Sequence, residues 1–208
     1  MKHFSKISEA IADLHKGKML IVVDDPQREN EGDFFMPVDT VTSRHVALMI
    51  KEGSGLLCTA ITGQQRRRLQ LPLMVPRSKN TEKTKVNFTI SVNAAKGITT
   101  GVSAHDRTKT IKTLGDPSTQ PQDLARPGHV FGLVAEQGGI LKRAGHTEAA
   151  VTLAKFAGFT PAGVLCEIVG PDGRMANYSG LAKLAKKLRL KIITIRDLMT
   201  YVKQQNLG

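Results

Sequence analysis

The sequence predicts a single domain that contains both helices and strands. Helix-type and strand-type hydrophobic patterns alternate along the whole chain. With 208 residues, of which 40% are hydrophobic, the chain can bury a sizeable core within one domain. It contains no internal repeat, low-complexity tract or linker, so we expect residues 1–208 to form one domain.

The first part of the chain predicts one helix and two strands. Residues 5–15 carry apolar side chains at helical spacing, and Gly17 can end that helix. The apolar run 19–23 predicts a buried strand. An acidic loop follows it, and residues 34–38 predict a second strand.

The next elements are a helix, a strand and a short basic helix. Ser43 can cap a helix that extends to about residue 53. The apolar run 56–61 predicts another buried strand. Residues 64–69 predict a short basic helix, and the polar stretch 76–86 predicts an exposed loop.

The middle of the chain predicts two strands, with a helix and a loop between them. Residues 87–93 alternate between apolar and polar side chains, which indicates a half-buried strand. Ser103 begins a Ser-x-x-Asp capping box and opens a helix that extends towards residue 114. Residues 115–128 contain three prolines and no periodicity, so we expect a loop there, followed by a strand over 130–135.

The last part of the chain predicts helices and strands in alternation. Amphipathic spacing predicts a helix over 147–157, and the apolar run 163–169 predicts a strand. A basic helix is expected over 179–188 and a strand over 191–195. A closing helix is expected over 197–204.

Composition limits the classes of function. The formal net charge of +12 suits nucleic acid or small anionic substrates, but only 4% of residues are aromatic, so stacking surfaces for single strands are scarce. Cys58 and Cys166 lie in apolar runs, which predicts two buried free thiols in a cytoplasmic protein without disulfides. No apolar run is long enough to span a membrane or to form a signal peptide.

The stretch 24–33 predicts a ligand site. It contains five carboxylates, one arginine and one glycine, and it directly follows the predicted strand 19–23. In open α/β sheets, ligands bind at the carboxyl ends of strands. Crowded carboxylates repel one another, so folding requires a cation, a proton or a metal. A solvated acidic turn is the alternative, and charge alone favours it.

A second polar cluster lies at the start of the helix predicted over 147–157. Arg143 and Thr147 flank small residues there, and free backbone N–H groups at the positive end of a helix favour phosphate. His146 could cap the helix, donate to the anion or bind a metal. Together with the acidic loop it predicts a carboxylate–imidazole site for a hard divalent ion, and the absence of a cysteine ligand favours magnesium or manganese over structural zinc.

Two further polar residues occupy unusual positions. Glu167 lies within the apolar run 163–169, where a buried carboxylate needs a partner or has a raised pKa that suits proton transfer. It could equally face solvent at the end of the strand. His129 lies where the long loop meets the strand predicted over 130–135, and an exposed loop histidine is the alternative.

Five motifs occur together and in order, and as a set they are highly specific. The chain resembles the 3,4-dihydroxy-2-butanone-4-phosphate synthases of riboflavin biosynthesis from about residue 5 to about residue 203. The motifs that carry the resemblance are RENEGD at 28–33, GVSAHDR at 101–107, RPGHVF at 126–131, RAGHTEA at 143–149 and PAGVLCE at 161–167.

The resemblance implies a fold, a reaction and an assembly. It implies a single α+β domain in three α/β/α layers, with a mixed, twisted sheet flanked by helices. It implies a homodimeric, magnesium-dependent lyase that converts ribulose 5-phosphate into 3,4-dihydroxy-2-butanone 4-phosphate and formate. Manganese could replace magnesium, and no organic cofactor, nucleic acid or membrane is expected.

The resemblance also implies roles for individual residues. Glu29 and His146 would be the magnesium ligands. His129 and Glu167 would be needed for catalysis, and we hypothesise that Asp33 or Glu31 acts as a base on the loop. Residues 77–86 match the family only loosely, so we assign no substrate contact there. The substrate would be held by Arg28, Glu29, Asp33, Arg143, Ala144, Gly145, His146, Thr147 and Glu167.

Two other classes of function are compatible with parts of this pattern. A nucleic-acid-binding module would explain the basic charge, but it would leave the acidic loop without a role. A structural or regulatory dimer with a decayed site would retain the fold and lose metal binding. Release of formate from ribulose 5-phosphate distinguishes the enzyme from both.

Overall fold

The computed structural model describes residues 4–205, and within them seven strands form one sheet that is flanked by seven α-helices. Residues 1–3 and 206–208 of the predicted domain lie outside the described residues. The strands are β1 (Leu20–Val23), β2 (Gly32–Pro37), β3 (Cys58–Ile61), β4 (Phe88–Ala94), β5 (Leu124–Val134), β6 (Gly163–Glu167) and β7 (Lys191–Thr194). The helices are α1 (Ile7–His15), α2 (Ser43–Leu48), α3 (Gly63–Arg68), α4 (Ala104–Gly115), α5 (His146–Phe156), α6 (Tyr178–Leu188) and α7 (Ile195–Gln205).

The sheet is mixed, as the resemblance implied. Its strand order is β4-β5-β3-β6-β2-β1-β7. The β1–β7 and β3–β5 pairs are parallel, and the other neighbouring pairs are antiparallel. The central strands therefore come from distant parts of the chain, which brings the acidic loop beside the end of β6.

Both faces of the sheet are buried, and this produces three layers. Successive residues of β2 alternate between two hydrophobic cores, since Phe34 and Met36 pack on one face and Phe35 on the other. The first core includes residues of α2, α4 and α6, and the second includes residues of α1, α5 and α7. Strands that are buried on both faces appear as continuous apolar runs, as the run 19–23 does.

Two strands begin earlier in the chain than the sequence indicated. β2 begins at Gly32, so Asp33 belongs to the sheet and pairs with Glu167 of β6. β5 begins at Leu124, inside the stretch 115–128 that was expected to be a loop. That expectation was wrong because pairing with β4 through shifts in register stabilises an extended segment that local composition does not reveal.

The helix predicted over 43–53 is divided. α2 ends at Leu48, and a π-helical turn continues from Met49 to Gly53. Thr42, rather than Ser43, is the N-cap of α2. Elsewhere the predicted helices and strands are present, and their ends differ by up to two residues.

The capping box predicted before α4 is half present. Ser103 Oγ accepts a hydrogen bond from the Asp106 N–H at 3.1 Å, as an N-cap does. The Asp106 carboxylate does not return to Ser103. It accepts hydrogen bonds instead from the Thr99 hydroxyl and from the N–H groups of Thr99 and Gly101, and so fixes the preceding loop.

The two cysteines are placed as the sequence predicted. Cys58 and Cys166 are buried and free. Among residues 4–205, no helix is long and apolar enough to cross a membrane.

Candidate active site

The acidic loop between β1 and β2 is folded around one buried carboxylate. Asp24 accepts hydrogen bonds from the backbone N–H groups of Glu29 and Glu31, at 3.0 and 2.9 Å, and from Arg28 Nη1 at 3.0 Å. Asp24 is 4% exposed and Asp33 is 5% exposed. The stretch is therefore an ordered, partly buried loop, and the alternative of a solvated acidic turn is wrong.

His146 lies against this loop from the other side. It is the first residue of α5 and is buried. Its Nδ1 lies 3.8 Å from Glu29 Oε2, and its Nε2 lies 3.9 Å from Asp33 Oδ1 and 3.2 Å from the carbonyl oxygen of Val22. The fold thus brings Glu29 and His146 together, while their role as metal ligands stays a prediction.

Burial and charge separate the titration of these groups. Burial raises the pKa of Asp33 to about 7, with help from neighbouring carboxylates and against the opposing effect of His146. The facing imidazole of His146, and then the charge of Arg28, lower the pKa of Glu29 to about 2 although its partial burial opposes this. Burial would lower the pKa of His146, but the surrounding carboxylates outweigh it and raise the pKa to about 9. At neutral pH an imidazolium therefore faces an ionised Glu29.

Glu31 is the second loop carboxylate that was predicted as a base. It is half-buried. Burial raises its pKa above the usual range, and the nearby charge of Glu29 raises it further. Glu31 and Asp33 are therefore the loop carboxylates that gain a proton most readily.

The cluster fits a hard divalent cation. Asp24, Glu29 and His146 each offer one ligand atom, and these atoms lie within 4.8 Å of one another. The buried Asp33 Oδ1 has no hydrogen-bond partner among the described residues, which leaves one more oxygen to be satisfied. Carboxylate oxygens with an imidazole, and no thiolate, are donors that suit magnesium or manganese.

The sequence analysis did not assign Asp24 to the metal site. Its position was informative, because Asp24 directly follows β1 and therefore lies at the carboxyl end of a central strand. Its burial and its three hydrogen bonds could not be read from the sequence, since they depend on the path of the loop.

The start of α5 has the features of an anion-binding site. Gly145 is the N-cap, and no side chain accepts a hydrogen bond from the first-turn N–H groups of the helix in the described residues. Thr147 is buried in this turn, and Ala144 packs against the second core. Their contact with a substrate stays a prediction.

Arg143 is held by the protein itself. Its Nη1 donates to Glu148 Oε2 at 2.6 Å, and its Nε and Nη2 donate to the carbonyl oxygen of Thr84 at 3.2 and 3.1 Å. The sequence analysis missed Glu148 and Thr84. Glu148 follows Arg143 by five residues within the motif at 143–149, but Thr84 lies 59 residues from Arg143 in the chain, so no local pattern indicated that contact.

Glu167 lies beside the acidic loop at the end of β6. It pairs with Asp33 across the β2–β6 ladder, and its Oε2 accepts a hydrogen bond from the Leu56 N–H at 2.7 Å. Glu167 is half-buried at the end of β6 and its carboxylate has a hydrogen-bond partner, so it is neither fully buried nor without a partner. A Cβ atom on Gly55 would lie 2.7 Å from Glu167 Oε2, so the absence of a side chain at Gly55 permits this contact.

His129 is exposed in β5. Its N–H donates to Asn93 Oδ1 at 3.0 Å, and its ring lies near the same side chain. Among the described residues, no hydrogen bond or ion pair joins His129 to Glu29, Asp33 or His146. The structure therefore groups the other predicted catalytic residues and leaves His129 apart from them.

The sheet nevertheless places His129 and Glu167 at the same level. Cys58 of β3 pairs with Phe131 on one side and with Leu165 on the other. His129 precedes Phe131 by two residues, and Glu167 follows Leu165 by two. Since neighbouring strands are about 4.8 Å apart, the two backbones are separated by roughly 10 Å.

A separate cleft of about 900 Å³ lies beside α3 and the C-terminal half of α5. Its lining includes Arg66, Arg67 and Lys155 and contains none of the predicted site residues. A smaller cavity of about 420 Å³ lies against the acidic loop and is lined by Asp24 and Arg196 among others. The smaller cavity therefore adjoins the candidate site, and the larger one does not.

Nearly the whole chain is similar to proteins of one known family. A family model described as 3,4-dihydroxy-2-butanone 4-phosphate synthase matches residues 8–201. A protein of Oryza sativa subsp. japonica, named as a probable bifunctional, chloroplastic riboflavin biosynthesis protein, is 50% identical over 203 residues, which are 98% of this chain and 37% of that protein. The chain thus spans well under half the length of that relative.

Two other relatives have nearly the same length as this chain. A 3,4-dihydroxy-2-butanone 4-phosphate synthase of Buchnera aphidicola subsp. Schizaphis graminum is 46% identical over 96% of this chain and 93% of its own length. A crystal structure of a 3,4-dihydroxy-2-butanone 4-phosphate synthase in complex with two magnesium ions is 37% identical, with a TM-score of 0.92 over 98% of this chain and 99% of that one.

Proposed function

The chain belongs to the 3,4-dihydroxy-2-butanone 4-phosphate synthase family, and we propose that it converts ribulose 5-phosphate into 3,4-dihydroxy-2-butanone 4-phosphate and formate in riboflavin biosynthesis. The observation that carries this proposal is the approach of His146 to Glu29 and Asp33, at 3.8 and 3.9 Å. These residues come from two of the family-like motifs, and the fold places them in one cluster.

We propose that Glu29 and His146, with Asp24 as a third donor, hold a magnesium ion, for which manganese could substitute. Such an ion would supply Lewis-acid stabilisation of negative charge on the substrate's oxygens. The related crystal structure is described with two magnesium ions, which supports magnesium as the ion that this chain binds.

The residues themselves would bind the substrate and move protons. Arg143 and the first turn of α5 would hold the phosphate. Arg28 would contact the sugar phosphate from the acidic loop, and Glu167 would bind it from the other side. Asp33, whose pKa is about 7, can accept a proton from carbon and return it near neutral pH.

His129 and Glu167 would act as the later acid–base pair. Their common level on the sheet supports this assignment, although their backbones are separated by β3. Glu31 is the alternative base, because burial raises its pKa as well. The two products together contain all the atoms of ribulose 5-phosphate, so the overall reaction requires no oxidant, reductant or organic cofactor.

We also propose a cytoplasmic homodimer that binds no nucleic acid. Leu56 is 46% exposed and lies beside Glu167, so apolar surface adjoins the site, as a subunit contact requires. Light scattering after size-exclusion chromatography tests the dimer, and a dominant monomer at micromolar concentration contradicts it.

Formate release from ribulose 5-phosphate tests the proposed activity. We expect formate in the presence of magnesium, and none after removal of the metal with a chelator. Glu29→Gln and His146→Ala should abolish release while circular dichroism remains unchanged. Matched surface variants, Glu52→Gln and His15→Asn, should retain activity. Unaltered phosphate binding in both site variants, without any formate from the wild type, would favour a decayed site.

A further inference from the structure

Glu148 is a buried carboxylate that the proposed chemistry does not use. It lies in the first turn of α5 and is 1% exposed. Its Oε2 accepts a hydrogen bond from Arg143 Nη1 at 2.6 Å, and its Oε1 accepts one from the Glu136 N–H at 2.8 Å. Both oxygens of Glu148 have partners within the protein and the side chain is buried, so Glu148 braces its neighbours and does not face a substrate.

Arg143 is fixed from two directions by these contacts. Glu148 holds Nη1, while the carbonyl oxygen of Thr84 accepts from Nε and Nη2. A guanidinium carries five N–H donors. Four of them have acceptors, since Nη2 also donates to Thr84 Oγ1 at 3.4 Å. One N–H of Nη1 therefore has no acceptor among the described residues, and its direction is set by the bonds that the other donors make.

Gly145 provides the space for this arrangement. A Cβ atom there would lie 2.9 Å from Glu148 Oε2 and would also collide with the Arg143 guanidinium. The small residue thus lets an ion pair form directly against the N-terminus of α5, where backbone N–H groups are available to an anion.

The same network fastens the loop over residues 77–86. Arg143 binds Thr84 near one end of the loop, and Arg77 Nη1 pairs with Glu136 Oε1 at 2.9 Å near the other. Glu148 joins the two attachments, because it bonds both Arg143 and the backbone of Glu136.

We propose that Glu148 is a positioning residue that orients Arg143 for the phosphate of the substrate. This inference rests on the proposed function. A guanidinium that is already held loses less conformational entropy when it binds phosphate. The contact with Glu148 therefore strengthens the binding of phosphate, although the negative charge of Glu148 opposes an anion. The two effects have opposite signs, and the experiment separates them.

Glu148→Gln removes the charge and keeps the shape. We expect KM for ribulose 5-phosphate to rise by about tenfold with little change in kcat, which is the signature of lost ground-state binding. We expect a similar weakening of the binding of inorganic phosphate, measured by calorimetry. Glu52→Gln, which removes a carboxylate that pairs with Lys187 and takes no part in this network, should leave both values unchanged. Tighter phosphate binding in Glu148→Gln would overturn the proposal, since charge alone would then dominate.

A double variant distinguishes positioning from a general structural role. If Glu148 acts through Arg143, then adding Glu148→Gln to Arg143→Gln should leave KM equal or lower, because the remaining effect of Glu148 is the repulsion between its charge and the phosphate. A higher KM in the double variant would overturn the proposal. This comparison does not need Glu148→Gln alone, and thermal unfolding shows whether Arg143→Gln, which leaves the buried Glu148 unpaired, is folded.

Failure of the proposed function would be recognised separately. If the wild type releases no formate, the binding of inorganic phosphate still reports on Arg143. Loss of phosphate binding in both Arg143→Gln and Glu148→Gln would then support the positioning role of Glu148 even without the proposed reaction. Phosphate binding that neither substitution changes would overturn it.

Discussion

Metal binding should release a proton from His146, and the amount can be worked out from the structure. The pKa of His146 is raised to about 9 because the carboxylates of Asp33, Glu29 and Asp24 outweigh the effect of burial. Metal binds only the neutral imidazole, so a proton competes with the ion. At pH 7, two units below that pKa, about 1% of the imidazole is neutral.

The affinity for magnesium should therefore increase as the pH rises. Between pH 7 and pH 9 the dissociation constant should fall by about fiftyfold, and the proton released by His146 should decline from nearly one per ion at pH 7 to about one half at pH 9. Calorimetry in buffers with different ionisation enthalpies measures both quantities without turnover. His15→Asn, on α1, should leave the proton release unchanged, whereas His146→Ala should remove the part that His146 contributes and leave the smaller release from Asp33 near pH 7.

The opposite result is equally clear. An affinity that does not change between pH 7 and pH 9, with no proton released, would show that His146 is neutral before the metal arrives. The carboxylates would then fail to stabilise an imidazolium despite distances of 3.8 and 3.9 Å. Binding that persists in His146→Ala with the same proton release would remove His146 from the metal site altogether.

Three further predictions concern the parts that support the site. Gly55→Ala should lower kcat by up to about 10²-fold, because a Cβ atom there would lie 2.5 Å from the backbone oxygen of Glu167 and 2.7 Å from its Oε2, so both the end of β6 and the carboxylate must shift. Gly63→Ala, whose Cβ would meet its nearest neighbour at 3.5 Å, is the control, and equal activities would contradict the role of Gly55. Hydrogen bonds from Thr99 first, and then from Gly101, outweigh desolvation and lower the pKa of Asp106 to about 2. The stabilising effect of its charge is therefore present above about pH 4 and is lost as the pH falls through 2. Asp106→Asn should thus lower the Tm at pH 7 and leave it unchanged near pH 2, and equal losses at both pH values would contradict this. Phe35→Ala should reduce the free energy of unfolding by about 3–5 kcal/mol in urea titrations, because the ring is fully buried, and a loss below 1 kcal/mol would contradict the packing described.

The sequence reveals the parts of the site that local chemistry marks. Glu29 and His146 could be predicted because each lies in a motif at the end of a regular element, next to a strand or at the start of a helix. Asp24 was overlooked as a donor because its burial depends on hydrogen bonds that the folded loop supplies. The early start of β5 was missed because Pro127 marks a loop locally, whereas pairing with β4 decides the outcome.

The spatial order of the strands could not be derived from periodicity. Apolar runs indicate that strands exist, but they do not reveal that β6 lies between β3 and β2. That order places Glu167 beside Asp33 and makes two carboxylates register partners. The resemblance implied a mixed sheet without an order of strands, and the hydrophobic pattern did not reveal that order either.

The distribution of charges within the cluster explains why the pKa values of Glu29 and Asp33 diverge. Asp24 is satisfied by Arg28 and two N–H groups, so its charge is compensated within the loop. Glu29 and Asp33 share the remaining cation, His146, and only one of the two carboxylates can be fully ionised beside it. Glu29 keeps its charge because Arg28 also contacts it, and the more deeply buried Asp33 takes up the proton near neutral pH. The protons on His146 and Asp33 therefore occupy the place of positive charge that a divalent ion would supply, which makes proton release the direct measure of metal binding here.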